Sequence, residues 1–281
     1  MKKQDRYPII PPARLDDLHN LEVADSCDLA LFMAGNQFMV MKDLLSAFRS
    51  ARPEVKKIYY ETLPPGLELK QILAGGAVFQ DRLINAYPDI YTSVNEAAMV
   101  KLVDTGHMEK GAYHPYLHNR IVLMVPEDNP GGIKTVRDLA KDRIRISQPD
   151  PLNEDIAFYI MDMYRKAGGQ TLVSRIMEEK RSEGTTILTI VHHRETPLRL
   201  RKRTVDVGPV WATEAIHAKN TGMPFGMIEP GEDLDQRDKI TYLAGKTKNA
   251  PHPENAQLFL DFIRSEKASD IYKAHGFIPE G

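Results

Sequence analysis

The segment Leu29-Ala30-Leu31-Phe32-Met33-Ala34-Gly35-Asn36-Gln37-Phe38 decides the fold. Its first residues, Leu29 to Met33, are an unbroken apolar run and read as a strand. Gly35-Asn36 ends that strand. Phe38, Met41, Leu44, Leu45 and Phe48 then recur at helical spacing, so one face of the following helix is apolar. Pro53 stops the helix. A strand, a polar turn and an amphipathic helix form the opening unit of a mostly parallel sheet flanked by helices.

The same unit recurs downstream. Lys57 to Tyr60 reads as a second strand, Leu63-Pro64-Pro65-Gly66 as a turn, and Glu68 to Leu73 as the next helix. Asp89 to Thr92 is a short third strand, and Arg120 to Val125 a longer one ended by Pro126. Asn129-Pro130-Gly131-Gly132 is a turn, after which Thr135 and Asp138 have the spacing of a helix cap. Arg143 to Ser147 is a strand. Asn153 stands where it would cap a helix carrying Ile156, Ile160, Met163 and Tyr164, closed by Gly168-Gly169. Thr186 to Val191 and Val205 to Trp211 are strands, with a helix starting at Thr196-Pro197 between them. The chain ends in two helices, one with Leu258, Phe259, Phe262 and Ile263 on a face, the other running from Ser265 to Gly276. Residues 1–27 are polar, contain prolines and show no period, so they read as an N-terminal extension.

The 281 residues suffice for two modest domains or one large one. A formal net charge of −2 gives no global field toward nucleic acid or an acidic membrane. Cys27 is the single cysteine, which excludes an intrachain disulfide and a multi-cysteine metal site. No apolar run approaches the ~18–20 residues that span a bilayer, so no direct membrane insertion is expected. The basic start at Met1-Lys2-Lys3 lacks an apolar segment behind it. Either a signal peptide has been removed or the protein stays in the cytosol.

Four turns stand at helix starts: Gly35-Asn36-Gln37, Pro65-Gly66, Asp150-Pro151-Leu152-Asn153 and Arg194-Glu195-Thr196. In open α/β sheets ligands sit beyond the carboxyl ends of the strands. Helix N-termini there offer unpaired N–H groups and a partial positive charge, so converging turns would hold an anion. Taken singly, Asn36, Asn153 and Thr196 also read as plain helix caps. In His192-His193-Arg194-Glu195, either Arg194 or His193 supplies positive charge to an anion, or Arg194 and Glu195 form a surface pair. Adjacent histidines alternate sides of a strand, so they do not share a metal. Trp211 either walls the site or fills the core. The basic residues Arg199, Arg201, Lys202 and Arg203 lack interleaved aromatics and read as a solvated helix face, not a nucleic-acid surface. No nucleophile elbow, phosphate loop or catalytic cysteine motif occurs, which favours a binding protein over an enzyme. No cofactor is called for.

The ordered series resembles the type II periplasmic substrate-binding proteins, nearest to their molybdate- and tungstate-binding group, across Asp28 to Phe277. The likeness is carried by Leu31-Phe32-Met33-Ala34-Gly35-Asn36, by Arg52-Pro53-Glu54-Val55, and by Asn119 through Pro126 to Asp138-Leu139-Ala140. It continues in Ile144 to Pro151, Arg194-Glu195-Thr196, Val205-Asp206-Val207-Gly208, and the C-terminal stretch from Asn255 to Phe277. Asn36 replaces the serine of that group's first turn, and Leu63-Pro64-Pro65-Gly66 stands where many relatives carry serines. The resemblance implies two lobes, each a mostly parallel sheet flanked by helices: residues 28–118 with 241–281, and residues 119–240. Crossings near Asn119–Leu123 and Thr241–Gly245 would act as hinges. It implies a small-molecule anion held between the lobes, an extracytoplasmic location and the permease of an ABC transporter as partner. The implied ligand contacts are Gly35, Asn36, Gln37, Pro65, Gly66, Asp150, Pro151, His193, Arg194, Glu195 and Trp211. Asp150 and Glu195 would meet the metal centre if the ligand is a metal oxyanion. A cytosolic ligand-sensing module and an enzyme on the same fold remain as alternatives.

Overall fold

The structure, a computed structural model, describes residues 6–94, 96–152, 154–190 and 195–280. The chain divides into two compact units, Met1–His118 with Thr241–Gly281, and Asn119–Ile240. Along the first unit run β1 (Ile9–Ile10), β2 (Leu18–His19), β3 (Leu29–Phe32), α1 (Phe38–Ala51), β4 (Ile58–Glu61), α2 (Pro65–Ala74), β5 (Ala77–Phe79), β6 (Arg82–Ile84), β7 (Ile90–Ser93), α3 (Glu96–Asp104) and β8 (Tyr113–His118). The second unit holds β9 (Ile121–Pro126), β10 (Ile146–Gln148), α4 (Ile156–Ser174), α5 (Lys180–Ser182), β11 (Thr186–Leu188), α6 (Glu195–Arg201), β12 (Gly208–Trp211), α7 (Ala212–Asn220) and β13 (Phe225–Ile228). The chain re-enters the first unit with β14 (Thr241–Lys246), α8 (Pro253–Ile263), α9 (Glu266–Ala274) and β15 (Ile278–Pro279).

The main sheet of the first unit has the order β15-β8-β14-β7-β3-β4-β2. β3 pairs in parallel with both β4 and β7. All four residues of β3 are buried, which is what an unbroken apolar run in a sheet covered on both faces requires. Met41, Leu44, Leu45 and Phe48 of α1 are buried as their spacing predicts. Phe48 packs against Phe259 and Phe262 of α8, with ring centroids 5.1 and 5.4 Å away. Burying such a side chain stabilises by about 1.5–3 kcal/mol.

Asp89, fully buried just before β7, ties three segments together. One oxygen accepts the Ala30 N–H at 2.7 Å and lies 2.9 Å from His252 Nδ1, and the other accepts the His252 N–H. Strand β3, the start of β7 and the entry to α8 thus share one carboxylate.

Residues 6–27, where the sequence shows no period, are built into this unit. β1 pairs in parallel with β5, and β2 pairs antiparallel with β4 at the edge of the main sheet. The Thr62 N–H donates to the Asp17 carbonyl at 2.8 Å.

In the second unit β9 lies between β12 and β13, antiparallel to both. β10 and β11 pair in parallel, and a parallel bridge from Ile146 to Val207 links them to the strand that continues into β12. Gly168-Gly169 breaks α4 as the sequence indicates, with Gly169 at φ +71°, but the chain re-enters helix beyond the break. Among the described residues no helix is long and apolar enough to cross a membrane.

Asp89→Asn removes the charge from bonds to the buried Ala30 N–H and the half-buried His252 N–H, so a loss of about 1.5–3 kcal/mol per weakened bond is expected. Urea unfolding followed by circular dichroism measures it. A midpoint unchanged from wild type would show that Asp89 does not hold these segments together.

Candidate ligand site

In the first unit the site is set by where the parallel strands stop. Phe32 is opposite Glu61 on β4 and Tyr91 on β7, so β3 and β4 end level with one another while β7 runs two residues further, to Ser93. Their C-terminal turns leave the sheet side by side. The first turn is a short 3-10 stretch, Gly35–Gln37, that runs directly into α1.

Gly35 is required by its neighbours. A Cβ there would lie 2.9 Å from the Thr62 carbonyl oxygen and 3.1 Å from that of Leu63. The first and second turns are therefore in backbone contact. Thr92, near the end of β7, fixes the first turn from the other side. Its hydroxyl accepts the Ala34 N–H at 2.7 Å and the Gln37 side-chain amide at 3.1 Å.

The sequence pointed to Asn36 and Gln37 as ligand contacts, with Asn36 alternatively a plain helix cap, and the structure engages both side chains with the core. Neither supplies a side-chain cap, and both are buried. The Asn36 amide donates to the Tyr242 hydroxyl. The Tyr116 hydroxyl donates to Gln37 Oε1 at 2.8 Å, and burial pushes the Tyr116 phenol up, keeping it a neutral donor. Beneath this turn Tyr116, Tyr242, Tyr272 and Phe277 pack edge to face. Asn36 and Gln37 therefore pin the turn to the core.

The second turn differs. Pro64 precedes α2 and Pro65 is its first residue, so two of its backbone nitrogens carry no proton. Gly66 is exposed and a Cβ there would meet nothing. The Tyr91 hydroxyl donates to the Pro65 carbonyl at 2.9 Å.

In the second unit β10 and β11 end level, Gln148 opposite Leu188. The turn after β10 begins at Asp150, whose N–H donates to the Thr189 hydroxyl at 3.1 Å and whose Oδ1 accepts the Leu152 N–H at 3.0 Å. Thr189 in turn donates to the buried Glu154. Pro151 is half-buried and Leu152 is exposed.

After β11, helix α6 already includes Glu195, two residues before the Pro197 that the sequence indicates as its first helical position. Glu195 Oε1 accepts the Ile190 N–H at 2.8 Å, and Oε2 is 2.7 Å from the Arg199 guanidinium. Arg199 also donates to the Ile187 and Leu188 carbonyls and to Ser147 Oγ. Arg199 is thus the cation that organises the ends of β10 and β11. From sequence it reads as part of a solvated face, because a four-residue spacing from Glu195 on a short helix gives no sign that the pair folds back over strand ends. Thr196 does not cap α6. It is buried, and its hydroxyl lies 2.9 Å from Ser147 Oγ. Gly208 admits this contact, since a Cβ there would sit 2.4 Å from Thr196 Cγ2.

A hollow of about 490 Å³ opens within this unit beside β11, lined by Asp150, Arg181, Gly184 and the run Thr186 to Ile190. Trp211, at the end of β12, is buried against Tyr159 at a ring-centroid distance of 6.2 Å and serves the core. Asn153, His193 and Arg194 lie outside the described residues. Among the described residues no group of three or more His, Cys, Asp or Glu is placed to hold a metal.

Gly35→Ala forces apart the first two turns, so it should destabilise the chain by about 1–3 kcal/mol, the range for overpacking a filled interior. Thermal unfolding of this variant beside Gly66→Ala, which meets no atom, checks the claim. Equal effects would show that the approach of the Thr62 and Leu63 carbonyls is not the constraint.

Comparison with known proteins places this geometry. A Bacillus subtilis (strain 168) relative, YvgL, named as an ABC transporter substrate-binding lipoprotein, is 23% identical over 239 residues, covering 84% of this chain and 86% of the relative. The periplasmic molybdate-binding protein of Azotobacter vinelandii superposes with a TM-score of 0.72 at 17% identity, covering 90% of this chain and 100% of its own. The sulfate-binding protein SubI of Mycobacterium tuberculosis H37Rv does so with a TM-score of 0.72 at 18% identity, covering 89% and 86%. These likenesses give the two-lobed type II periplasmic-binding-protein fold. Residues 29–278 match the family described as bacterial extracellular solute-binding protein, and the chain belongs to that family.

Proposed function

We propose that this protein is the receptor of an ABC-type uptake system and binds a small tetrahedral oxyanion of the molybdate or tungstate kind. The observation that carries the reading is the first turn, whose polar side chains are spent on the core. The Gln37 and Phe38 N–H groups already donate to the Ala34 and Gly35 carbonyls, so what the turn offers a solute is the main chain of Gly35 and Asn36 at the head of the 14-residue helix α1. That is a donor set suited to an anion. Pro65 and Gly66 stand beside it, in a turn that touches Gly35 through its carbonyls.

The second unit would contribute the turn at Asp150-Pro151 and the helix start at Glu195, with His193 and Arg194 immediately before it in sequence. Carboxylates beside an anion repel it unless they are neutralised or bind its metal. Glu195 is engaged by Arg199 and the Ile190 N–H, and Asp150 accepts the Leu152 N–H, so both are partly compensated within their own unit.

Resemblance and the molybdate- and sulfate-binding solved structures support an oxyanion. Solved structures of the same fold also include an iron-bound protein and one holding fructose-6-phosphate, so the ligand is chosen by the turns and not by the fold. The family and its lipoprotein relative support an extracytoplasmic location with a permease as partner.

A thermal-shift panel of molybdate, tungstate, sulfate, phosphate and small carboxylates tests the reading. A ligand present at about 100 times its Kd adds roughly 2.7 kcal/mol of stability. Molybdate or tungstate should give the largest shift. In calorimetry Arg194→Ala should weaken that ligand by about 1.5–3 kcal/mol, the scale of a charge-assisted hydrogen bond. A shift from carboxylates alone, or an unchanged affinity in Arg194→Ala, contradicts the assignment.

A further inference from the structure

Behind the second turn lies a set of buried acids that the ligand reading does not use. Glu61, the last residue of β4, and Glu68, in the first turn of α2, bracket the segment 62–67, and both are fully buried. Gln71, one helical turn beyond Glu68, is buried with them. Tyr59 and the Gln71 amide both donate to Glu61 Oε1, the latter at 2.9 Å. The Leu63 N–H donates to Glu68 Oε1 at 3.2 Å.

The remaining oxygens, Glu61 Oε2, Glu68 Oε2 and Gln71 Oε1, have no hydrogen-bond partner. Orphaned buried acceptors are rare in native interiors, and here three belong to residues in one cluster. Two ionised carboxylates and an amide oxygen supply acceptors only, so the set has no donor of its own to satisfy them.

The surrounding elements do not remedy this. From the N-terminal segment come Asp17, which adds negative charge, and Arg14, which lies 3.2 Å from Asp17. Arg82 on β6 acts on Tyr59 from a distance and pairs at the surface with Asp25. His19 is directed to the Thr62 hydroxyl, the Tyr91 hydroxyl to Pro65, and the Tyr116 hydroxyl to Gln37.

We propose that Glu61 and Glu68 are a proton-binding pair whose carboxylic acid forms supply the missing donors and hold the second turn, and whose ionisation loosens it. Each bound proton converts an orphaned acceptor into a donor and removes a buried charge. The bond from the Leu63 N–H ties the turn to Glu68; that bond by itself favours the carboxylate, and the loosening comes from the uncompensated buried charges and orphaned oxygens.

The electrostatics agree. Burial, against the pull of the Tyr59 and Gln71 hydrogen bonds, drives Glu61 up to about 7. Burial and then the charge of Glu61 drive Glu68 well above the ordinary carboxylate range. Acids raised in this way bind protons more tightly folded than unfolded. Their contribution to stability is complete below their unfolded value and is lost as pH rises through the folded one, here the interval from the ordinary glutamate range up through about 7 and beyond.

The test needs no ligand, so its outcome is separate from that of the anion assignment. Thermal unfolding of the full chain is followed between about pH 5 and about pH 8, in chelator and with added calcium or magnesium, for wild type, Glu61→Gln, Glu68→Gln and the double variant. Wild type should lose roughly 5–10 °C across that range, and the double variant clearly less. An infrared band of a protonated carboxyl should persist near neutral pH in wild type and diminish in each single variant, a readout that does not depend on how stable the variants are. Parallel pH profiles for wild type and the double variant, or the absence of that band, overturn the proposal. Stabilisation of wild type by the divalent cation, reversed by chelator and absent in the double variant, also overturns it, since the orphaned oxygens would then be cation ligands.

Discussion

The shared register of three parallel strands is the constraint on which the first unit depends. Because Phe32 is opposite both Glu61 and Tyr91, β3 and β4 end at one level and β7 carries Thr92 and Ser93 just past them. Every later feature follows from that register. Thr92 can reach the backbone and side chain of the first turn only because β7 runs on past the end of β3. Gly35 must lack a side chain only because the Thr62 and Leu63 carbonyls leave β4 beside it. A slip of one residue would turn each strand's side chains to the opposite face and separate these partners. The buried carboxylate of Asp89 holds the register from the other end of the sheet.

The elements legible in the sequence were those with strong local signals. The apolar run of β3, the face of α1, the capping pair Thr135 and Asp138, and the Ser265 start of α9 all appear, the last with the serine hydroxyl accepting the Ala268 N–H. Strands without an apolar run were missed. β8 contains His114, Pro115 and His118, and its place is set by pairing with β14, which lies more than a hundred residues away. The same distance hid the role of Asn36. Its partner Tyr242 stands on β14, so a residue that looks locally like a cap is a tether to the core. Thr196 and Arg199 follow the same rule, because their partners Ser147, Ile187 and Leu188 lie on other strands. Turn positions were readable because glycine and proline mark them; side-chain directions were not, because tertiary contacts set them.

Charge is arranged differently on the two units. In the second, Glu195 is balanced by Arg199 and a backbone N–H, an arrangement that leaves main-chain donors at a helix start without a bare carboxylate beside them. In the first, Glu61 and Glu68 lie under the second turn with no ion-pair partner among the described residues. Prolines at 64 and 65 remove donors from that same turn. The second turn is thus shaped from below by its acids and from the side by the N-terminal segment, through Asp17 and His19 on Thr62, more than by its own capacity to bind an anion.

We propose centrally that the strand-end turns of both units hold the ligand. Hydrogen exchange read by mass spectrometry, with and without molybdate or tungstate, addresses it directly. The account predicts added protection in peptides covering residues 35–39 and 64–67 and in those covering 150–154 and 193–197, with little change along the N-terminal segment. Protection confined to other segments, or none at a concentration that raises the melting temperature, would contradict it.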